Sequence, residues 1–232
     1  SQISTHKLMD LILSFLSKTF AFDENSPFLF TQFYFWAFFA IVFAVFSLIH
    51  SKRLLRNTFL FIVSLFFYYK TSGLFVLLLI FATISDFFIA KLVYRSEKEL
   101  HRKLFVGLSV CINLLVLSYF KYSYFFVDLV NSLFGTTFQV YDYFAAIGNT
   151  LTGSNRFNVD QIILPVGISF YTFQTLSYVI DVYRRDIKTE RNFFFFALFV
   201  SFFPQLVAGP IERPSNLIPQ LKEAHSWNNS DA

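Results

Sequence analysis

Two stretches near the C-terminal end of the sequence place groups capable of chemistry inside runs that are otherwise apolar. The first runs Leu164-Pro165-Val166-Gly167-Ile168-Ser169-Phe170-Tyr171-Thr172-Phe173-Gln174, and the second runs Phe203-Pro204-Gln205-Leu206-Val207-Ala208-Gly209-Pro210-Ile211-Glu212-Arg213-Pro214. Hydrocarbon tolerates broken backbone and polar side chains only where protein or a wet cavity satisfies them. If residues 165–185 form a helix begun by Pro165, then Tyr171, Gln174, Thr175, Tyr178 and Asp181 share one face. Phe170, Phe173, Leu176 and Ile180 then fall largely on the other. Such a stripe can knit helices together by hydrogen bonds or can line a polar passage, and the pattern alone leaves both open. In the second stretch Pro204 breaks a helix beside Gln205, Gly209-Pro210 turns the chain, and Glu212 and Arg213 follow at the membrane edge. An ordinary helix end followed by a loop reads equally well there. Asp86 lies deep in a further apolar run, where a structural pairing role is the expectation.

The elements that must position these groups are transmembrane helices. Hydrophobic residues make up 55% of the chain and charged residues 15%, with a mean hydropathy of +0.54. A soluble domain carries about 25% charged residues. The apolar residues come in long runs without the two-residue alternation of a membrane barrel. The fold class is therefore all-α, a polytopic membrane helix bundle with short, broken or re-entrant helices, and residues 1–232 form one membrane domain. An interfacial amphipathic helix is expected over 8–22, with Met9 as a candidate native start. Spans are expected at about 28–49, 57–69, 74–94 and 104–120, with Thr71-Ser72-Gly73 as a tight turn. Residues 122–134 read as an interfacial helix and 135–161 as an outer loop. A polar-striped helix over 165–185 and a broken helix over 193–211 complete the domain.

The basic residues gather in the short segments between runs: Lys52 to Arg56, Arg95 to Lys103, and Arg184 to Arg191. That pattern marks loops held inside the cell, so the chain is expected in a cytoplasmic membrane with its N-terminus outside. The net charge of +4 therefore does not point to nucleic acid. Cys111, the single cysteine, reads as a small buried hydrophobe. The four histidines, His6, His50, His101 and His225, lie outside the apolar runs. Metal-binding spacings, a phosphate-cradling glycine loop and a nucleophile elbow are all absent from the sequence.

At Leu164 to Arg184 and Phe203 to Pro214 the chain resembles the membrane-bound O-acyltransferase (MBOAT) family, in its bacterial alginate O-acetylation and D-alanyl transfer branch. Weaker likeness runs through Ser85-Asp86 and Tyr119-Phe120-Lys121-Tyr122. The resemblance implies a multi-helix enzyme with a funnel on its outer face. Such an enzyme passes an acyl group, usually acetyl, from a cytoplasmic thioester donor toward a hydroxyl of an extracytoplasmic polysaccharide. The donor would be acetyl-CoA or an acyl carrier, with no resident cofactor and no metal. A periplasmic or surface acyltransferase partner would complete the transfer. Tyr171, Gln174, Thr175, Tyr178, Asp181, Gln205, Glu212 and Arg213 would line the substrate path. The family's catalytic histidine lies well downstream of the second motif, so no catalytic residue is assigned in this chain and the role is not carried onto His225. The expectation is that the chain is the N-terminal half of such an enzyme and is inactive alone. A transporter or channel subunit, or a non-catalytic scaffold recruiting a periplasmic partner, are the alternatives.

Overall fold

The computed structural model describes residues 33–153, 157–206 and 212–223, and among these residues every regular element is helical. The elements are α1 (Phe33–Ile49), α2 (Arg53–Ser72), α3 (Val76–Arg95), α4 (Glu99–Leu117), α5 (Ser123–Phe134), α6 (Tyr143–Thr152), α7 (Ile168–Arg184), α8 (Phe193–Ser201), α9 (Phe203–Leu206) and α10 (Pro214–Lys222). A 3-10 turn, Gly73–Phe75, joins α2 to α3, and a π turn, Ser118–Tyr122, joins α4 to α5. The expected interfacial helix over 8–22, residues 28–32 of the first span, and the Gly209-Pro210 turn lie outside the described residues.

Helices α2 and α3 form an antiparallel hairpin. Gly73 adopts φ 59°, the left-handed region open to a residue without Cβ, and reverses the chain. Phe61 on one arm and Phe87 on the other, at similar distances from the turn, both meet the start of α8 through Phe194 and Phe193. Helix α4 returns beside α3, and α7 packs into the groove between them. Helix α8 fills the space between α2 and α3, and α10 lies across its outer side. Helix α1 touches α2 through Val42, Phe35 and Phe38, which meet Phe67 and Phe203.

The bundle turns large apolar side chains outward and holds polar ones within its largely apolar core. Helix α3 exposes Leu77, Phe81, Ile84 and Phe88 and buries Thr83 and Asp86. In water that arrangement would be ruinous; in hydrocarbon it is the favourable one. Two continuous helical stretches, Arg53–Arg95 and Glu99–Phe134, are apolar enough to cross a membrane.

Asp86 is fully buried at the contact of three helices. Ser109 Oγ donates to its Oδ1 at 2.6 Å and Asn113 Nδ2 to its Oδ2 at 2.8 Å, both from α4. Thr175 of α7 reaches Asn113 Oδ1 at 3.4 Å. The partners are neutral donors, and Lys91 turns away to sit 4.0 Å from the Phe87 ring centroid. At the opposite edge of the bundle Arg56, also buried, donates to the carbonyls of Leu221 and Glu223 at 2.9 Å each. Asn57 Nδ2 adds a bond to Leu221 O at 2.7 Å. These bonds satisfy the free carbonyls at the end of α10 and fasten that helix to α2.

Several sequence expectations need correction. The span expected at 57–69 is the 20-residue helix Arg53–Ser72, because Arg56 and Asn57 find partners on α10 and remain helical. Thr71 and Ser72 belong to that helix, and the turn is made by Gly73. The span expected at 104–120 starts at Glu99, whose ion pair with Lys103 (2.7 Å) lies within the first turns of the helix. It continues through the π turn into α5, so 122–134 is no separate helix. The loop expected over 135–161 contains α6, begun by Asp142, which accepts from the N–H groups of Phe144 (2.9 Å) and Ala145 (3.1 Å). Cys111 is exposed, along the same face of α4 as Leu104, Leu108 and Leu115.

Asp86→Ala would leave the Ser109 hydroxyl and an Asn113 N–H buried without an acceptor. It is expected to destabilise the protein by about 2–4 kcal/mol, whereas Asp86→Asn keeps one acceptor and loses less. Detergent-solubilised melting curves of the two variants measure the difference.

Candidate functional site

The two motif stretches meet. Helix α7 begins at Ile168, not at Pro165, because Pro165-Val166-Gly167 forms a turn in which Gly167 adopts φ 75°. The turn is closed by the Ile168 N–H, which donates to Pro165 O at 3.3 Å, and is fixed to α2 by the Val166 N–H, which donates to Ser72 Oγ at 3.1 Å. A Cβ at Gly167 would stand 2.7 Å from the carbonyl oxygen of Leu206. Glycine at 167 thus answers two demands, a left-handed backbone and the close approach of the second motif.

The broken helix supplies the other half of the junction. Helix α8 ends at Ser201, and Phe202 takes ψ 107°, so the break falls two residues before Pro204. In an unbroken helix the Phe203 N–H would bond to Phe199 O, and that of residue 204 to Val200 O. Phe203 N instead donates to Ser64 Oγ at 3.2 Å, and Pro204 has no N–H. The carbonyl of Phe199 is therefore released, and Gln174 Nε2 takes it at 2.9 Å while also lying 3.4 Å from Gln205 Oε1. Gln174 and Gln205 are both buried.

The expected stripe divides along its length. Tyr171, Gln174, Thr175 and Tyr178 are buried, as is Leu176, which the helical spacing had put on the opposite face. The Tyr178 hydroxyl accepts from the Glu190 N–H at 2.7 Å and anchors the loop between α7 and α8. Tyr171 packs edge-on to Tyr68, with ring centroids 6.3 Å apart. The hydroxyls of Tyr68 and Tyr171 and that of Ser201 are buried without a well-formed hydrogen bond. Asp181 stands apart, half-exposed among the charges of Asp186, Arg213 and Arg184. Glu212 and Arg213 are exposed, so neither joins the junction. The junction's members are thus Gly167, Tyr171, Gln174 and Gln205 with the Phe199 carbonyl. Tyr68, Ser64 and Ser72 are neighbours that sequence reasoning missed, because small polar residues on an apolar helix have no distinctive spacing. Among the described residues no cluster of His, Cys, Asp or Glu could hold a metal ion.

Gly167→Ala forces a Cβ against the Leu206 carbonyl in a left-handed backbone. It is expected to cost about 2 kcal/mol or more from the backbone conformation and the clash together, read as a lower midpoint in thermal unfolding.

No family model and no solved structure matches this chain. Curated proteins do. It is 37% identical over 169 residues to the probable alginate O-acetylase AlgI of Pseudomonas aeruginosa, a match covering 72% of this chain and 29% of that protein. The protein of the same name from Pseudomonas putida is 35% identical over 174 residues, covering 74% and 32%. The peptidoglycan O-acetyltransferase of Helicobacter pylori is 27% identical over 200 residues, covering 76% and 34%. The chain thus spans well under half the length of these relatives. Apolar helices packed around a polar interior, the junction of the two motif stretches, and these relatives agree: the chain belongs to the membrane-bound O-acyltransferase family.

Proposed function

We propose that the protein is a membrane O-acyltransferase acting on an extracytoplasmic polysaccharide. The acetyl group leaves a thioester donor, acetyl-CoA or an acyl carrier, on the cytoplasmic side. The C–S bond breaks, an ester C–O bond forms to the acceptor hydroxyl, the hydroxyl proton passes to a general base, and the thiol leaves protonated. That base is assigned to no residue of this chain. Tyr171, Gln174 and Gln205 shape the path through the membrane, and a periplasmic or surface acyltransferase completes delivery to the polymer. The observation that carries this reading is the Gln174–Phe199–Gln205 junction, found in a chain similar to proteins named O-acetylases and O-acetyltransferases.

The distribution of charge supports a multi-pass orientation in a bacterial cytoplasmic membrane. Arg102 donates to Tyr183 O, Lys91 to Arg191 O and Arg53 to Lys222 O, and Lys222 pairs with Glu190. These bonds gather the basic segments at one end of the bundle. The opposite end, where Ser72 meets Val166 and Tyr119 meets Asp142, carries Asp128, Asp142 and Asp160 and fewer cations, Lys70 and Lys121 among the described residues. The basic end is then cytoplasmic, and α1, which runs toward it, starts outside.

The test is acetyl transfer by the complete gene product in inverted membrane vesicles supplied with a labelled acetyl thioester. Label is expected in an alkali-labile ester on polysaccharide. Gln174→Leu is expected to lower the rate at least tenfold, about 1.4 kcal/mol or more in the barrier. Because the Gln205 side-chain oxygen accepts from the same Gln174 Nε2 that binds the Phe199 carbonyl, the Gln174→Leu/Gln205→Leu pair should lose little more than Gln174→Leu alone. Unchanged transfer in Gln174→Leu would remove that residue from the site.

A further inference from the structure

Away from the junction, the end of the bundle opposite the basic clusters carries an open cleft of about 490 Å³. Tyr141, Asn149, Thr150, Phe157 and Asn158 line it. Its volume falls within the ~300–1,000 Å³ of small-molecule sites.

The cleft is rigidly built for a feature at the rim of a membrane protein. Tyr119, from the π turn, donates to Asp142 Oδ1 at 3.1 Å and accepts from the Tyr143 N–H at 2.9 Å. The Asp142 N–H donates to Val159 O at 2.7 Å, closing the segment on itself. Asn149 grips Phe157 from both sides, donating to its carbonyl at 2.8 Å and accepting from its N–H at 2.9 Å. The Phe157 ring sits 3.1 Å from where a Cβ on Gly148 would stand, so the ring lies against bare backbone. Tyr141 is 44% exposed and stands edge-to-face with Tyr143, ring centroids 5.0 Å apart.

The lining combines aromatic surface with carboxamide and hydroxyl edges. The Asn158 side-chain oxygen accepts from the Asp160 N–H at 2.9 Å, and its amide carries two further N–H donors. Thr150 donates to Ala146 O within its own helix and keeps its lone pairs. A pyranose ring offers the complement: C–H faces for an aromatic surface, and equatorial hydroxyls for amides. Among the described residues none that lines the cleft is charged, and Asp142 and Asp160 flank it. The two flanking carboxylates disfavour a uronate, because like charges brought together are costly.

We propose that this cleft binds a neutral pyranose unit of a glycan on the outer side of the membrane. The sidedness and the acceptor role rest on the acyltransferase reading; the binding itself does not. It would hold the polymer at the outer rim, beside the partner that completes delivery, raising the local concentration of acceptor.

The complete gene product in detergent is titrated with a neutral N-acetylglucosamine oligomer and, separately, with an oligouronate, with no acyl donor present. The neutral oligomer is expected to bind, and Tyr141→Ala and Thr150→Trp each to weaken it at least tenfold. Both positions are exposed, so the melting temperature should stay at the parental value, and a fall in parallel with binding would overturn the assignment. Binding of neither oligomer, tighter binding of the uronate, or parental affinity in both variants overturns it as well. So does a glycan-blind cleft at which Thr150→Trp abolishes association with a protein partner. Transfer without glycan binding defeats only the cleft; glycan binding without transfer defeats only the acyltransferase reading.

Discussion

The structure depends on one constraint: inside a hydrocarbon slab a carboxamide has no water to turn to. Helix α7 carries Gln174 and Thr175 side by side, and each must find a partner on a different neighbour. Thr175 looks toward α4, where Asn113 and Ser109 are already bound to Asp86 of α3. Gln174 looks toward α8, where a carbonyl has been set free by the break before Phe203. The bundle is thereby fixed in rotation as well as in position. Apolar side chains alone would allow many registers, since lipid tails are as good a neighbour as another helix.

The broken helix and the glutamine are mutually dependent. Without the break, Phe199 O would belong to its own helix and Gln174 would be buried with its donors unmatched. Without Gln174, the free carbonyl would face an apolar interior. The turn before α7 completes the arrangement, because the Leu206 carbonyl can approach only a residue that lacks Cβ. Gly167 of one stretch and Leu206 of the other are thus two halves of one contact, although they lie far apart in the chain.

How much of this was legible in the sequence follows from which forces act locally. The all-helical class and the polarity of the stripe were legible, because an apolar run and a period of 3.6 are properties of consecutive residues. So was the interruption of a helix near Pro204. The limits of the spans were not. Counting apolar residues began the second span at Asn57, yet Arg56 and Asn57 are helical, with side chains that bind the carbonyls at the end of α10, more than 160 residues later. Asp86 was visible as a buried charge, but its neutral partners Ser109 and Asn113 were not, since serine and asparagine on an apolar helix are unremarkable until a carboxylate faces them. Helix α6 was overlooked despite ordinary cap residues at Asp142 and Gly153, because the surrounding glycines and asparagines read as loop. Glu212 and Arg213 were grouped with the site from their nearness in sequence to Gln205; both are exposed and lie outside the buried junction.

The π turn at Ser118–Tyr122 has a geometric consequence for what lies beyond it. An extra residue in an α-helix rotates everything downstream by about 100°, and a π turn is where such a surplus is absorbed. Helix α5 fully buries no side chain, so its own packing holds its angle only weakly. That angle is nonetheless meaningful, because Tyr124 of α5 receives the Ile162 N–H at 3.1 Å, on the strand of chain that leads into Gly167 and α7. The azimuth of a lipid-facing helix is therefore transmitted to the approach of the motif helix through a phenolic oxygen. Removing one residue from the π turn would leave every apolar contact of α4 in place and still turn that oxygen to the wrong side of the rod.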